Sequence, residues 1–277
     1  MRIALIADTH LSARSPECVA NWHAARRAIE RMAPDLTINL GDITLDGQTH
    51  PEELEFAVQL VRQWPTAMLC VPGNHDIGDA SGELPLDRRL LARYGQLFGP
   101  DRWVRRSGPW LLLGLNAQLF GSASVEEEAL WSWIDEQADL AGLHARTVLF
   151  LHRPLLRPTP NEFTRKGRYV ANAARERLLT GALSRTLRMV VSGHTHQYLD
   201  LTADGVRHVW MPSSGFIIPD HMQTRFGEKV VGSGLLDLGG DEARFDLWCP
   251  DGMHRHEVNK LLAFQEAAAD RSTGAAS

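Results

Sequence analysis

Five short apolar runs of this 277-residue sequence are each followed within a few residues by aspartate, asparagine or histidine. The side chains in question are Asp8 and His10, Asp42, Asn74, His152, and His194 with His196. Carboxylate oxygens, amide oxygens and imidazole nitrogens suit divalent Mn, Fe, Zn or Co, whereas soft Cu(I) prefers sulfur. Seven such side chains exceed the needs of one ion. The pattern therefore predicts two divalent ions, about 3.5–4 Å apart, that share one carboxylate.

The apolar runs themselves have the length of buried strands. They are Ile3–Ala7, Leu36–Leu40, Ala67–Val71, Thr147–Leu151 and Met189–Ser192. Helices are predicted between them, at Pro16–Met32, Pro51–Trp64, near 86–98, from about 125 to 140 and near 173–183. Strands that alternate with helices indicate parallel βα units, and sites form outside the carboxyl ends of such strands. The seven side chains can therefore converge on one point.

Three of the predicted helices begin at recognisable capping residues. Ser15 is placed as an N-cap before Pro16. Thr49 with Glu52, and Ser124 with Glu127, have the spacing of a capping box.

The pattern changes after residue 200, where long helices give way to strands joined by short turns. The predicted strands are Val206–Met211, Val231–Leu238 and Ala243–Cys249. We expect them to form an antiparallel sheet packed on the same domain. Residues 1–250 would then be one domain and 251–277 a C-terminal extension, whose small polar end we expect to be flexible.

The composition limits the classes of partner. The formal net charge of −5 argues against nucleic acid, which favours a strongly basic face. No apolar stretch approaches the length of a membrane span, and Ile3–Ala7 is too short for the apolar region of a signal peptide. We expect a cytoplasmic protein without membrane contacts. The late strands could offer an edge for a homodimer.

The blocks DTH, GD, GNHD, LHRP and GHTH, in this order over residues 8–196, resemble those of the calcineurin-like metallophosphoesterase superfamily. Within it, the compact size and the GNHD block look most like the bacterial class III cyclic-nucleotide phosphodiesterases. The resemblance implies an α/β fold, a four-layer α/β/β/α sandwich of two mixed sheets flanked by helices.

The same resemblance implies a role for each ligand. Asp8, His10 and His196 would hold one metal ion, and Asn74, His152 and His194 the other. Asp42 would bridge both ions. His75 would be the acid that protonates the leaving oxygen, and Asp76 would orient His75 or tie down its loop.

The implied function is that of a binuclear metal-dependent phosphoesterase that hydrolyses a small phosphodiester. Metal binding lowers the pKa of water from 15.7 towards about 7. The reaction would begin with attack of the metal-bound hydroxide, and His75 would be the proton donor. Glycines at 41, 73 and 193 would let the backbone turn sharply beside the metals.

One block departs from the family pattern. Many relatives have two consecutive histidines where this chain has His152 and Arg153. A guanidinium suits phosphate, so Arg153 is predicted to contact a small phosphorylated substrate, with help from the 153–170 loop. Asn116, which follows the apolar run Leu111–Leu115, is predicted to border the substrate site at most.

Two alternatives remain open at this point. The same site could serve a phosphomonoesterase, a pyrophosphatase or a nuclease. A chain with this fold could also be a metal-binding scaffold without catalysis, although such a scaffold would normally have lost ligands that are present here.

Overall fold

Two β-sheets form the centre of the protein in the computed structural model, which describes residues 1–80, 86–142, 145–159, 161–162 and 167–264. The strands are β1 (Arg2–Ile6), β2 (Leu36–Asn39), β3 (Met68–Cys70), β4 (Trp103–Ser107), β5 (Trp110–Leu115), β6 (Arg146–Leu151), β7 (Leu187–Ser192), β8 (Leu199–Ala203), β9 (Val206–Trp210), β10 (Ser233–Gly239) and β11 (Glu242–Trp248). The first sheet has the order β11-β10-β1-β2-β3, and the second has the order β4-β5-β6-β7-β9-β8. Each sheet contains both parallel and antiparallel pairs.

The described helices are α1 (Pro16–Met32), α2 (Glu52–Val61), α3 (Asn74–Ile77), α4 (Arg88–Phe98), α5 (Val125–Ala141) and α6 (Asn172–Thr180). Residues of α1, α2 and α4 share a buried cluster with one face of the first sheet. Residues of α5 and α6 share another with one face of the second sheet. The fold is therefore the predicted four-layer sandwich.

Side chains of the central strands alternate between two apolar layers, as the pleat of a strand requires. In β1, Ile3 and Leu5 face the second sheet, whereas Ala4 and Ile6 face the helices. Strand β6 behaves in the same way, because Phe150 lies between the sheets and neighbouring Leu149 packs towards α5 and α6. Burial on both faces explains why these strands read as continuous apolar runs in the sequence.

The prediction for the last strands is wrong in its pairing. They do not form a sheet of their own: β9 pairs in parallel with β7, while β10 and β11 form an antiparallel hairpin on β1. Strands β4 and β8, which were not predicted, lie at opposite edges of the second sheet. Apolar alternation shows which face of a strand is buried, but it does not show which strand lies beside it.

The helix starts agree with the sequence only in part. Ser124 caps α5 as predicted, because its hydroxyl accepts the Glu127 N–H at 3.2 Å. The Ser15 hydroxyl instead donates to the His10 carbonyl at 2.8 Å and makes no cap bond. The predicted box of Thr49 and Glu52 is also wrong, since α2 begins after Pro51 without a side-chain cap.

The C-terminal extension predicted at 251–277 is described as far as residue 264. Val258 and Leu261 are buried there and pack with Phe216. The end expected to be flexible, residues 267–277, lies outside the described residues. None of the described helices combines the length and apolar composition that crossing a bilayer requires.

Trp103 of β4 joins the two sheets. Its indole N–H donates to the Cys70 carbonyl at the end of β3 at 2.9 Å, and its ring lies 5.8 Å from that of Phe150. Gly114 of β5 lies directly against this indole, and a Cβ atom there would overlap the Trp103 ring.

We predict that Gly114→Ala lowers the free energy of unfolding by about 1–3 kcal/mol, the usual range for overpacking. The matched control is Gly95→Ala in α4, where an added Cβ would meet no atom within 4 Å. That change should stabilise the protein by up to about 1 kcal/mol, because alanine is the better helix former. Urea unfolding measures both values, and equal effects of the two substitutions would contradict the prediction.

Candidate metal centre

The seven predicted ligands follow three neighbouring strands of the first sheet and two neighbouring strands of the second. Asp8 and His10 follow β1, Asp42 follows β2 and Asn74 begins α3 after β3, whereas His152 follows β6 and His194 and His196 follow β7. The loops after β1 and β2 run side by side, because the Asp8 and His10 N–H groups donate to the carbonyls of Gly41 and Asp42, each at 3.0 Å. The structure therefore brings the seven side chains together.

Asp8, His10 and His196 form the first group, with ligand atoms that all lie within 4.8 Å of one another. The Nε2 atoms of His10 and His196 are 3.1 Å apart, and His196 Nε2 lies 3.4 Å from Asp8 Oδ1. All three residues are buried.

Asp42, His152 and His194 form the second group by the same measure. Three acceptor atoms surround His152 Nε2: His194 Nδ1 at 3.0 Å, and Asn74 Oδ1 and Asp42 Oδ2 at 3.2 Å. Asn74 therefore joins this group. The carboxylate of Asp42 lies with the second group, and its bridging of both groups stays a prediction.

These spacings suit a divalent ion. An ion that holds nitrogen and oxygen ligands at about 2.0–2.2 Å needs neighbouring ligand atoms about 3 Å apart. Within each group the closest ligand atoms are 3.0–3.4 Å apart. The donor set also contains nitrogen and oxygen but no sulfur, as the sequence indicated.

Hydrogen bonds to backbone carbonyls turn the imidazole lone pairs towards each other. His152 Nδ1 lies 2.8 Å from the Leu40 carbonyl, His194 Nε2 lies 3.1 Å from the Gly167 carbonyl, and His196 Nδ1 lies 2.9 Å from the Phe216 carbonyl. A nitrogen that donates to a carbonyl leaves the other nitrogen of a neutral ring as a lone pair. Lone pairs that face one another at about 3 Å repel unless a cation lies between them, which is the arrangement that a metal ion stabilises.

Burial and neighbouring charges shift the pKa values of several groups in the site. Burial lowers the pKa of His152, but the neighbouring charge of Asp42 more than offsets this and raises it to about 9. Burial raises the pKa of Asp42, yet the charges of His152 and His75 hold it well below its ordinary value. Burial, aided by neighbouring histidines, lowers the pKa of His10 and of His194 well below the usual range. Asp42 is therefore ionised and holds a proton on His152, whereas His10 and His194 are neutral. A metal ion at the second group would supply the positive charge that this proton supplies in its absence.

The backbone is strained at most of the ligands. Asp8, His10, Asp42, His194 and His196 all have positive φ, from 48° to 70°, and they make up five of the eight described non-glycine residues with this conformation. Left-handed backbone costs an L-residue of order 1 kcal/mol. Because this strain coincides with the ligands, the loops are shaped for the site rather than for their own stability.

Glycines 41, 73 and 193 were predicted to let the backbone turn sharply, but only one of the three has a positive φ. Gly41 has a φ of 91°. A Cβ on Gly73 would overlap Asp42, and one on Gly193 would lie 2.7 Å from Asp8 Oδ2. Gly73 and Gly193 therefore serve close packing against ligand carboxylates.

His75 lies beside the ligands but belongs to neither group. Its ring meets that of His10 edge-on at 5.2 Å, and its backbone N–H donates to Asp42 Oδ1 at 2.9 Å. Among the described residues, no group hydrogen-bonds its Nδ1.

Asp76 fixes the loop, and none of its described hydrogen bonds goes to the His75 ring. Its carboxylate accepts the N–H groups of Ile43, Thr44 and Gly73 at 2.9–3.2 Å, together with the Thr44 hydroxyl at 2.8 Å. Of its two predicted roles, these contacts support tying down the loop. Burial raises its pKa to about 6.

Arg153 is buried rather than a solvated loop charge, with 4% of its surface exposed. It forms an ion pair with Asp79, which sequence reasoning missed because nothing in the sequence distinguishes Asp79 from a turn residue. Arg165 and Lys166 of the same predicted loop lie outside the described residues.

Asn116, predicted to border the substrate site at most, directly follows β5, and its place beside a substrate stays a prediction. The side chain is fully buried; it donates to Asp101 and accepts from the Gln118 N–H, both at 3.0 Å. These contacts indicate that Asn116 shapes the chain after β5.

Comparison with known sequences agrees with this site. The model of the calcineurin-like phosphoesterase family matches residues 1–198, which include all seven ligands. The 3′,5′-cyclic adenosine monophosphate phosphodiesterase CpdA of Escherichia coli K12 is 28% identical over 224 residues, or 77% of this chain and 76% of that protein. A probable cyclic nucleotide phosphodiesterase of Psychrobacter sp. PRwf-1 is 27% identical over 192 residues, or 66% of this chain. The alignment spans about half of that relative, 52% of its length.

Solved structures share the fold. A dimetal phosphatase from Danio rerio has a TM-score of 0.64 at 15% identity, over 90% of this chain and 96% of that one. GAP50, the anchor in the inner membrane complex of Plasmodium, has a TM-score of 0.65 at 13% identity, over 97% and 94%. At such identities the likeness concerns the fold alone.

We predict that Mn²⁺ stabilises the protein through Asp42. Saturation about 100-fold above the dissociation constant stabilises a folded protein by about 2.7 kcal/mol, which raises Tm by about 5–10 °C for a chain of this size. Asp42→Asn should remove most of this shift, because it takes a negative charge from the ligand set. Asp200→Asn, which weakens the ion pair with Arg207 in β9 and belongs to neither ligand group, is the control and should keep the shift. Differential scanning calorimetry in chelator and in Mn²⁺ measures the shifts, and an equal shift in all three proteins would contradict the assignment.

Proposed function

The chain belongs to the calcineurin-like phosphoesterase family, and from this premise we propose that it hydrolyses a small phosphodiester with two divalent ions. The observation that carries the proposal is the pair of adjacent ligand groups, Asp8/His10/His196 and Asp42/His152/His194, with Asn74 beside the second. Two such ions would supply positive charge for the phosphate and an activated water. Mn, Fe, Zn and Co all fit the donor set.

The protein would set the net charge of the metal centre through the number of anionic and neutral ligands. Asp8 and Asp42 bring two negative charges against four from two divalent ions, so the centre would remain cationic and attract phosphate. Because Asn74 is a neutral ligand, it would leave this net positive charge unchanged.

His75 is the proposed proton donor for the leaving oxygen. It lies outside both groups, and the bond from its N–H to Asp42 ties it to the ligand loops. Asp76, with its four bonds to the same loops, keeps the segment from moving. An alkoxide is a poor leaving group, so a positioned acid accelerates its departure by about 10²–10⁴-fold.

The names of the sequence relatives support a diesterase over the other activities that this site could perform. Both are named as phosphodiesterases of cyclic nucleotides. The net charge of −5 favours a small substrate over a nucleic acid. The site also argues against a scaffold without catalysis, because every predicted ligand and His75 are present in this chain.

We expect His75→Ala to lower the turnover of bis(p-nitrophenyl) phosphate with Mn²⁺ by about 10²–10⁴-fold, because the proton donor is lost while both ligand groups stay intact. Metal content measured by atomic absorption should remain unchanged. His254→Ala, at an exposed histidine, is the control and should keep full activity.

Other results would contradict parts of the proposal. Loss of metal in His75→Ala would make His75 a ligand. The unmodified, metal-loaded protein should also be assayed with cyclic nucleotides, dinucleotides, glycerophosphodiesters and phosphomonoesters. If it turned over none of them, the proposed phosphoesterase activity would be excluded.

Arg153 is proposed to contact the substrate beside the second group. Its charge acts on His194, whose pKa it helps to lower after burial and His152. The guanidinium is also paired with Asp79, so its contribution to substrate binding must be separated from its contribution to the pair.

The comparison of Arg153→Ala with Asp79→Asn makes that separation. If the guanidinium binds phosphate, Arg153→Ala should raise KM about tenfold or more, since one charge-assisted hydrogen bond is worth about 1.5–3 kcal/mol. Asp79→Asn, which keeps the cation, should change KM much less. Equal changes in the two variants would assign Arg153 to the ion pair alone.

A further inference from the structure

His10 is held differently from the other three histidine ligands. His152, His194 and His196 each point one ring nitrogen at a backbone carbonyl. Among the described residues, His10 Nδ1 has no such partner, although it is buried. The orientation of the His10 ring must therefore come from packing.

The packing partner is Phe216, a buried residue between β9 and β10. Its ring stacks on that of His10 with centroids 4.6 Å apart and planes at 28°. The same ring lies 4.7 Å from that of His196, whose Nδ1 donates to the Phe216 carbonyl. One residue thus contacts both histidines of the first group.

The segment Ser213–Phe216 is itself fixed to Asp8, the third member of that group. The Ser213 hydroxyl donates to the Asp8 carbonyl at 2.8 Å, and the Gly215 N–H donates to it at 3.2 Å. The Ser213 hydroxyl in turn accepts the Phe216 N–H at 3.1 Å. Bonds and ring contacts from this one segment reach Asp8, His10 and His196.

Residues of the C-terminal segment also pack against Phe216. The Phe264 ring meets it edge-on at 6.0 Å, and Val258 and Leu261 pack in the same buried cluster. Backbone bonds of 2.8 and 2.9 Å join Ile217 to His256 and Val258.

We propose that Phe216 is a positioning residue for the first metal ion, because its ring face sets the orientation of His10 and its carbonyl sets that of His196. The inference rests on the proposed two-ion centre and goes beyond it, since residues 213–216 lie outside the family match to residues 1–198. Loss of a group that orients a metal ligand typically costs about 10- to 100-fold in metal affinity.

The test measures the two ions separately by calorimetric titration with Mn²⁺. His194→Ala disrupts the second group and leaves the first, whereas His10→Ala does the reverse. Phe216→Ala should weaken Mn²⁺ binding about 10- to 100-fold in the His194→Ala protein, and it should leave binding unchanged in the His10→Ala protein.

Phe120→Ala is the matched control, because Phe120 is as buried as Phe216, at 3% exposure, but packs on Trp131 of α5. It should lower Tm without weakening the first ion. Phe216→Leu retains apolar bulk and is the second variant: if Phe216→Ala does not fold, weaker binding of the first ion in Phe216→Leu supports the inference and unchanged binding overturns it.

Three outcomes overturn the inference: unchanged first-ion affinity in Phe216→Ala, equal weakening of both ions, or equal weakening by Phe120→Ala. If the unmodified protein binds at most one ion, the proposed two-ion function fails instead. The two failures are therefore distinguishable.

Discussion

Imidazole nitrogens and carboxylate oxygens lie 3.0–3.4 Å apart in the loops that follow the central strands, and the rest of the structure has to keep them in these positions. Such atoms repel in the absence of a cation, and all three ligands of the first group are buried. Five of the seven ligands also have left-handed backbone, at a cost of order 1 kcal/mol each. The ligand loops could not keep this geometry by themselves. Strands buried on both faces supply the rigidity that the loops lack.

Ligands come from both sheets, so the site depends on how the sheets pack. His152 of the second sheet donates from Nδ1 to the Leu40 carbonyl of the first. Asp8 of the first sheet accepts the His194 N–H of the second at 3.0 Å. Trp103 adds a third link between the sheets, through Cys70. A shift of one sheet over the other would therefore separate ligands within a group, which makes the apolar layer between the sheets part of the metal centre.

Sequence reasoning succeeded where chemistry and local pattern coincide. The convergence of the seven side chains was predictable because Asp, Asn and His follow apolar runs, and runs buried on both faces predict the strands that carry them. Their role as metal ligands stays a prediction. It failed where a partner is distant along the chain. The hydroxyl of Ser15 was predicted to cap α1 but donates to His10. Strands β9 to β11 were predicted to pair together but divide between the two sheets. Phe216 gave no signal at all, since a lone phenylalanine outside any motif is indistinguishable from core.

The likeness to GAP50, the anchor in the inner membrane complex of Plasmodium, shows why the fold cannot decide the function. That protein and the Danio rerio dimetal phosphatase match this chain about equally well, with TM-scores of 0.65 and 0.64. A sandwich can persist whatever stands at its strand ends, since the core between the sheets is apolar. A scaffold without catalysis has no use for imidazole lone pairs that face each other, for strained loops, or for glycines packed against Asp8 and Asp42. Because each of them makes the fold harder to form, their presence together is an argument for metal-dependent catalysis that the fold alone does not supply.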